Sequence, residues 1–380
     1  MVRTHSLALI IGLVGVASVS AHQEPKTDAE IETQRALQRA AYYCAPAVGE
    51  FTAARKRAWQ QQVLSGLPLN QAAFAPASIP SAGNPSLPTN EDLFNSGTYP
   101  SGSQTTPQGK QEILACDVIE EETEMQNNSC VLTPIVTEGP YYHNSGHPIR
   151  QNIAEYQIGL LTYLDIGVID VNTCKPLPNV LVDIWQANAT GHYAGHPEPA
   201  PHLVNEQPQV GGKRSGLLSA FPRTNFHEQW LRGAWQTDSH GVARFTNNFM
   251  TGTEAIFPGY YTGRATHVHA KVFTSWTENP NGTFDGGKLA HVGQFFFEDD
   301  LNMQVDKMYP YVENPIRDIR GRTRNWRDSL NIFEDSHGPE GEYNPIFKMH
   351  LLGGVINQGL VGFITMGING SYEMDNWWKG

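Results

Sequence analysis

Between about residue 130 and residue 370 one pattern recurs: short runs with apolar residues at every second position, set between turn signals and without helical intervals. Leu164, Ile166 and Val168 alternate ahead of Asp170. Val180, Val182 and Ile184 alternate after the turn Pro176-Leu177-Pro178-Asn179, and Asp238-Ser239-His240-Gly241 precedes Val242-Ala243-Arg244-Phe245. Successive side chains on a strand face opposite ways, so each run has one face suited to a core and one that is not. Strands at this spacing predict a mainly β fold, an antiparallel two-sheet β-sandwich, with an N-terminal helical segment and long loops. The 36 glycines and 25 prolines exceed their average shares of roughly 7% and 5%, which favours turns over long helices.

The segment ahead of this body is different. Arg3 and His5 lead an apolar run from Leu7 to Val19, and Val19-Ser20-Ala21 fits a small-residue cleavage site, so residues 1–21 are expected to be a secretory signal peptide. The apolar run is shorter than the roughly 20 residues that span a bilayer, and no transmembrane segment is expected. Residues 22–110 read as a helical stretch from Thr27 towards Cys44, a second from Phe51, and a Pro/Ser-rich linker from 65 onward. The formal net charge of −12 argues against non-specific binding to nucleic acid or anionic membranes, which needs clustered positive charge. An exported chain with four cysteines, Cys44, Cys116, Cys130 and Cys174, is expected to carry two disulfides in one of three pairings. No C-x-x-C spacing supports a zinc site instead. Asn127, Asn188, Asn281 and Asn369 stand in glycosylation sequons.

The run Phe257-Pro258-Gly259-Tyr260-Tyr261-Thr262-Gly263-Arg264-Ala265-Thr266-His267-Val268-His269 carries the most chemistry. On a strand, His267 and His269 share a face and their roots lie about 7 Å apart, close enough to converge on one ion, while Val268 and Ala270 face the other way. Alternating histidines also occur on solvated strands, so the H-x-H pair does not establish a metal bracket by itself. A phenol following the Pro-Gly turn, the fixed charge of Arg264, and a second phenol at Tyr193, where Asp183-Ile184-Trp185 runs into a glycine-containing loop, strengthen that reading. Two phenolates and two imidazoles suit Fe(III), because hard anionic oxygen stabilises the trivalent ion.

At this point the sequence resembles the intradiol ring-cleavage dioxygenases, in particular their secreted eukaryotic branch. The resemblance covers roughly residues 130–300. It rests on Glu138-Gly139-Pro140-Tyr141-Tyr142, the stretch from Pro178 to Tyr193, Leu231-Arg232-Gly233, Thr237-Asp238 with Gly241, the Tyr261 to His269 run and Gly293-Gln294, all in order. It implies a catalytic domain over residues 111–380 in which non-haem Fe(III) is held by Tyr193, Tyr261, His267 and His269. The second phenol is ambiguous between Tyr260 and Tyr261 by position after the turn; Tyr261 fits the P-G-x-Y-x-G-R form of the secreted members. Arg264 matches the family's active-site arginine and Gln294 a glutamine near the bound ring, while Tyr141, Tyr142 and Tyr260 are candidate substrate contacts. The implied substrates are a catechol or hydroxyquinol and O2, cleaved between the hydroxyl-bearing carbons to a cis,cis-muconate, with Tyr261 as the labile ligand that takes up a substrate proton.

Several neighbours have plainer readings: Arg232 as a structural ion-pair partner, Trp185 as core filling, and His192 and His196 as loop histidines. Asn188 lies so close to the Tyr193 loop that burial is expected to block glycosylation there. The family's intracellular members dimerise through helical amino-terminal segments, so a homodimer is one expectation, although the proline-rich continuation departs from that pattern. Two rivals predict other metals or none: a non-catalytic sandwich module binding sugar or protein, and a copper oxygenase whose histidine brace would use His22 after cleavage.

Overall fold

The computed structural model describes residues 43–65, 136–197, 225–245, 255–330 and 345–374, except 137, 145 and 226, together with a few positions between 27 and 40 and Ile332. Residues 1–21, expected to be a signal peptide, the expected linker from 66 onward, Cys116, Cys130 and Asn127 lie outside the described residues. The elements run α1 Ala45–Ser65, β1 Leu161–Asp170, β2 Lys175–Pro176, β3 Leu181–Trp185, β4 Arg232–Gln236, β5 Val242–Phe245, β6 Ala255–Ile256, β7 His267–Phe273, β8 Trp276–Glu278, β9 Phe284–Gly286, β10 Leu289–Phe296, α2 Asp299–Val305, β11 Lys348–Leu351 and β12 Leu360–Ile368.

Both alternating runs form strands where the pattern predicts them, at β1 and β3, and the turns at 176–179 and 238–241 precede β3 and β5. The strands build two main sheets. One has the order β11-β12-β1-β2, with β5 and β6 also paired to β1; the other runs β10-β7-β3-β4, and β8 and β9 form a separate hairpin. The smaller main sheet is antiparallel throughout.

The larger sheet corrects one expectation. β1 pairs β12 in parallel from Thr162 opposite Leu360 to Asp170 opposite Ile368, so the architecture is mainly but not wholly antiparallel. Alternation tells which way side chains face, not which strand lies alongside or in which direction it runs.

Leu164, Ile166 and Val168 of β1 share one buried cluster with Val182 and Ile184 of β3 and Val268, Ala270 and Val272 of β7. The apolar sides of both sheets therefore meet. The opposite side of β7 is left for His267, His269 and Lys271, and strand register brings Trp185 and Asp183 of β3 beside His269 and Lys271. Gln294 of β10 lies opposite His269 on the other flank.

Helix α1 is a single helix that begins directly after Cys44, earlier than Phe51, with Pro46 in the first turn where its missing N–H costs nothing. Val48 and Phe51 pack with Ile169, Val171 and Val242, and Trp59 packs with Tyr163, Val361 and Phe363. The helix thus lies on its own chain's larger sheet. The Cys44–Cys174 disulfide joins its start to the turn after β1. Under this helix Asp165 receives Arg55 Nη1 at 2.5 Å and Arg244 Nε at 2.7 Å. Among the described residues no helix is long and apolar enough to cross a membrane.

Candidate metal centre

β7 is flanked by β3 and β10 in its sheet, which holds its histidines rigidly. The Nε2 atoms of His267 and His269 are 3.1 Å apart. His267 Nδ1 lies 2.6 Å from the Ala265 carbonyl, an acceptor, so Nδ1 carries the proton and the Nε2 lone pair is free to bind a cation. The His269 ring stacks on Trp185 with centroids 4.7 Å apart and planes 8° from parallel. Trp185 therefore fills the core, as expected, and also fixes the plane of this imidazole.

The two phenols arrive on the loops after β3 and β6, which interlock through two glycines. Asn188 carbonyl accepts the N–H of Gly191 at 2.9 Å and of Gly259 at 3.0 Å. A Cβ on Gly259 would sit 2.3 Å from the Ala189 carbonyl oxygen, and one on Gly191, whose φ is +83°, would sit 2.2 Å from that of Tyr260. Only bare backbone permits so close an approach. The Asn188 side chain adds to the clamp: Oδ1 accepts from Thr190 N, Thr190 Oγ1 and His192 N, and Nδ2 donates to Gln157. A glycan on Asn188 would break this set, whereas Asn281 is exposed on the β8–β9 turn. Gly259→Ala is expected to cost roughly 1–3 kcal/mol by overpacking and to spread the phenols apart; a lowered melting temperature together with reduced bound metal checks it.

With the loops locked, Tyr193 Oη lies 3.1 Å from His269 Nε2, and Tyr261 Oη lies 3.3 Å from His267 Nε2. Metal–ligand bonds of roughly 2.0–2.2 Å to nitrogen and oxygen put neighbouring donors roughly 3 Å apart, so four donors at these separations fit one ion. Tyr193, Tyr261, His267 and His269 are all buried. Burial, then the Arg264 charge, holds His267 well below the usual histidine range, so its imidazole is neutral. Burial also pushes both phenols above the usual tyrosine range, with Arg264 opposing it. Phenolates here need a cation. Two phenols and two imidazoles together form a donor set that matches a hard trivalent ion.

Arg264 stands beside the four donors. Its Nη1 donates to Tyr261 Oη at 3.3 Å and its Nη2 donates to Gln294 Oε1. Tyr141 stacks on Tyr193 at 4.3 Å between centroids and meets Tyr261 edge-on at 5.8 Å, so it packs directly against both phenols. Two candidate substrate contacts are placed elsewhere. Tyr142 donates to Asp183 at 3.0 Å and carries Lys271 Nζ 3.3 Å from its ring centre, behind Trp185. Tyr260 packs on Ile316 under Arg322. Neighbouring residues on a loop point apart, and the one directed to His267 is Tyr261. Arg232 is fully buried and donates to the Ala194 carbonyl, while His192 and His196, expected as solvated loop histidines, are both buried, with His192 against the His196 carbonyl. Sequence reading missed Asp328, which pairs with Arg264 from 64 residues along the chain; no local motif marks it.

No protein-family model and no curated protein matches the chain. Solved structures do. The chain is similar to intradiol ring-cleavage dioxygenases. One from Tetranychus urticae shares 27% identity over 66% of this chain and 100% of its own, with a TM-score of 0.46. The dioxygenase domain of a dioxygenase and carbohydrate-binding protein fusion from Streptomyces sp. SirexAA-E shares 21% over 62% of this chain and 96% of its own, at 0.33. Catechol 1,2-dioxygenase from Pseudomonas arvilla C-1 shares 18% over 62% of each chain, at 0.30.

Proposed function

We propose that this protein is a secreted intradiol dioxygenase of two packed β-sheets that binds Fe(III) through Tyr193, Tyr261, His267 and His269 and opens catecholic rings with O2. The observation that carries the reading is the meeting of two phenol oxygens and two imidazole nitrogens in a buried pocket beside a guanidinium. When bound, a ferric ion supplies Lewis acidity and draws electron density from a catecholate, the chemistry that exposes the ring to O2. The remaining steps belong to the protein. Tyr261 Oη accepts a hydroxyl proton from the arriving catechol, and Arg264 Nη1 stays aimed at the oxygen region where negative charge develops. Tyr141 and Trp185 give the pocket aromatic walls, and burial keeps water from the reacting ring. Both atoms of O2 end in the cis,cis-muconate product.

Export is supported by the leader-like residues 1–21 and by the Cys44–Cys174 disulfide, since such bonds persist in oxidising compartments. Catechol or hydroxyquinol is the substrate class that the sequence resemblance implies.

The test is the colour of the purified protein. Phenolate-to-iron charge transfer predicts a visible absorption band that shifts when catechol is added, with stoichiometric iron and catechol-dependent O2 uptake. A colourless protein without metal would instead indicate a binding module, and one with stoichiometric copper a histidine brace. Arg264→Ala is expected to keep its iron and lose roughly 10²–10³-fold in kcat, read by O2 uptake on protein of matched iron content.

A further inference from the structure

Resting on that reading, we infer that Asp328 is the positioning residue that aims Arg264 at the reacting ring. Asp328 is 3% exposed and lies beyond the sequence motifs on which the resemblance rests. Both of its carboxylate oxygens accept Arg264 Nε, each at 3.1 Å. Oδ2 also accepts the Ala265 N–H at 2.7 Å and Oδ1 the Leu330 N–H at 3.0 Å. One carboxylate therefore holds the guanidinium, the backbone next to it and its own loop. Gripping the Nε edge turns the opposite edge of the planar fork inward, where Nη1 reaches Tyr261 Oη and Nη2 reaches Gln294.

The anchor itself is fixed. Ser329 N–H donates to the Gly263 carbonyl at 3.0 Å. Asn325 Nδ2 donates to the Phe297 carbonyl at 2.9 Å, directly after the strand that carries Gln294. Arginine, glutamine and carboxylate are thus referenced to one rigid frame. Asp328 makes no hydrogen bond to the four metal-binding candidates, but its charge faces Tyr261 and it holds the Ala265 N–H, so a double-mutant cycle is needed to isolate what passes through Arg264.

The experiment is a double-mutant cycle on iron-loaded protein, after the wild type has been shown to hold iron and cleave catechol; failure at that earlier step sinks the dioxygenase reading and not this one. Asp328→Asn is expected to lower kcat roughly 10- to 100-fold, as outer-sphere partners typically do, with KM changed far less and with wild-type iron content and charge-transfer spectrum. In the Arg264→Ala background the same substitution should change kcat less than about twofold, because coupled residues are not additive. Equal losses in both backgrounds, or full kcat in the single variant, overturn the inference. Should Asp328→Asn not fold, a crystal structure of the wild type with bound catechol decides: Arg264 Nε still on Asp328 supports it, and a guanidinium swung off the carboxylate overturns it.

Discussion

His267→Ala is expected to yield folded protein that loses its iron, with metal affinity down by well over the roughly 10- to 100-fold that loss of an outer-sphere partner costs. The imidazole sits between two other donors, 3.1 Å from His269 Nε2 and 3.3 Å from Tyr261 Oη. Removing it opens the ring of four on the Tyr261 side. The Ala265 carbonyl loses its donor at the same time. Burial and Arg264 keep His267 neutral, so the substitution removes a lone pair and not a charge, and the change in iron content reads coordination directly. The control is His291→Ala on the neighbouring strand. His291 is equally buried, with its pKa pushed down to about 4 by that burial, and it lies opposite Val272, away from the Gln294–His269 pair. Elemental analysis after dialysis should show iron lost in the first variant and kept in the second. Full iron occupancy in His267→Ala would end the assignment.

Asp165→Ala is expected to remove about 3–5 kcal/mol of stability, the usual cost of breaking a buried ion pair from one side. Asp165 is 1% exposed and pairs with Arg55 of α1 and Arg244 of β5, both fully buried. Without it Arg55 keeps hydrogen bonds only to neutral acceptors, the Thr365 and Thr52 hydroxyls and the backbone carbonyls of Ile364 and of residue 165. Arg244 keeps Asp238 at 3.4 Å. Against a total stability of roughly 5–15 kcal/mol the loss is large, and it acts where α1 meets the larger sheet. Urea unfolding followed by tryptophan fluorescence reports it, since Trp59 sits on the same helix. Asp318→Ala, which breaks an exposed pair with Arg317, should leave the midpoint in place. Equal midpoints for the two variants would show that the Asp165 pairing contributes little.

Strand positions, turn positions and the outward face of the H-x-H strand were readable from residue order, because alternation along a pleated strand is a local property. The choice of Tyr261 over Tyr260 rested on the family resemblance, and geometry separates the two plainly: one phenol is directed at His267 and the other packs on Ile316. Tyr142 looked equivalent to Tyr141 in sequence, but Asp183 and Lys271 draw it to the far side of Trp185. The parallel pairing of β1 with β12 could not be read, as neither strand carries a mark of its partner's direction. Asp328 and the seat of α1 were hidden for the same reason.

Residue order alone therefore determined the strand on which His267 and His269 share a face and the short turns on which the loops depend. The tertiary structure decided which phenol faces inward, which carboxylate grips Arg264 and which surface α1 covers. Those outcomes depend on contacts between segments far apart in the chain. Such contacts are set by how sheets stack and loops interlock, for which no local periodicity provides a code.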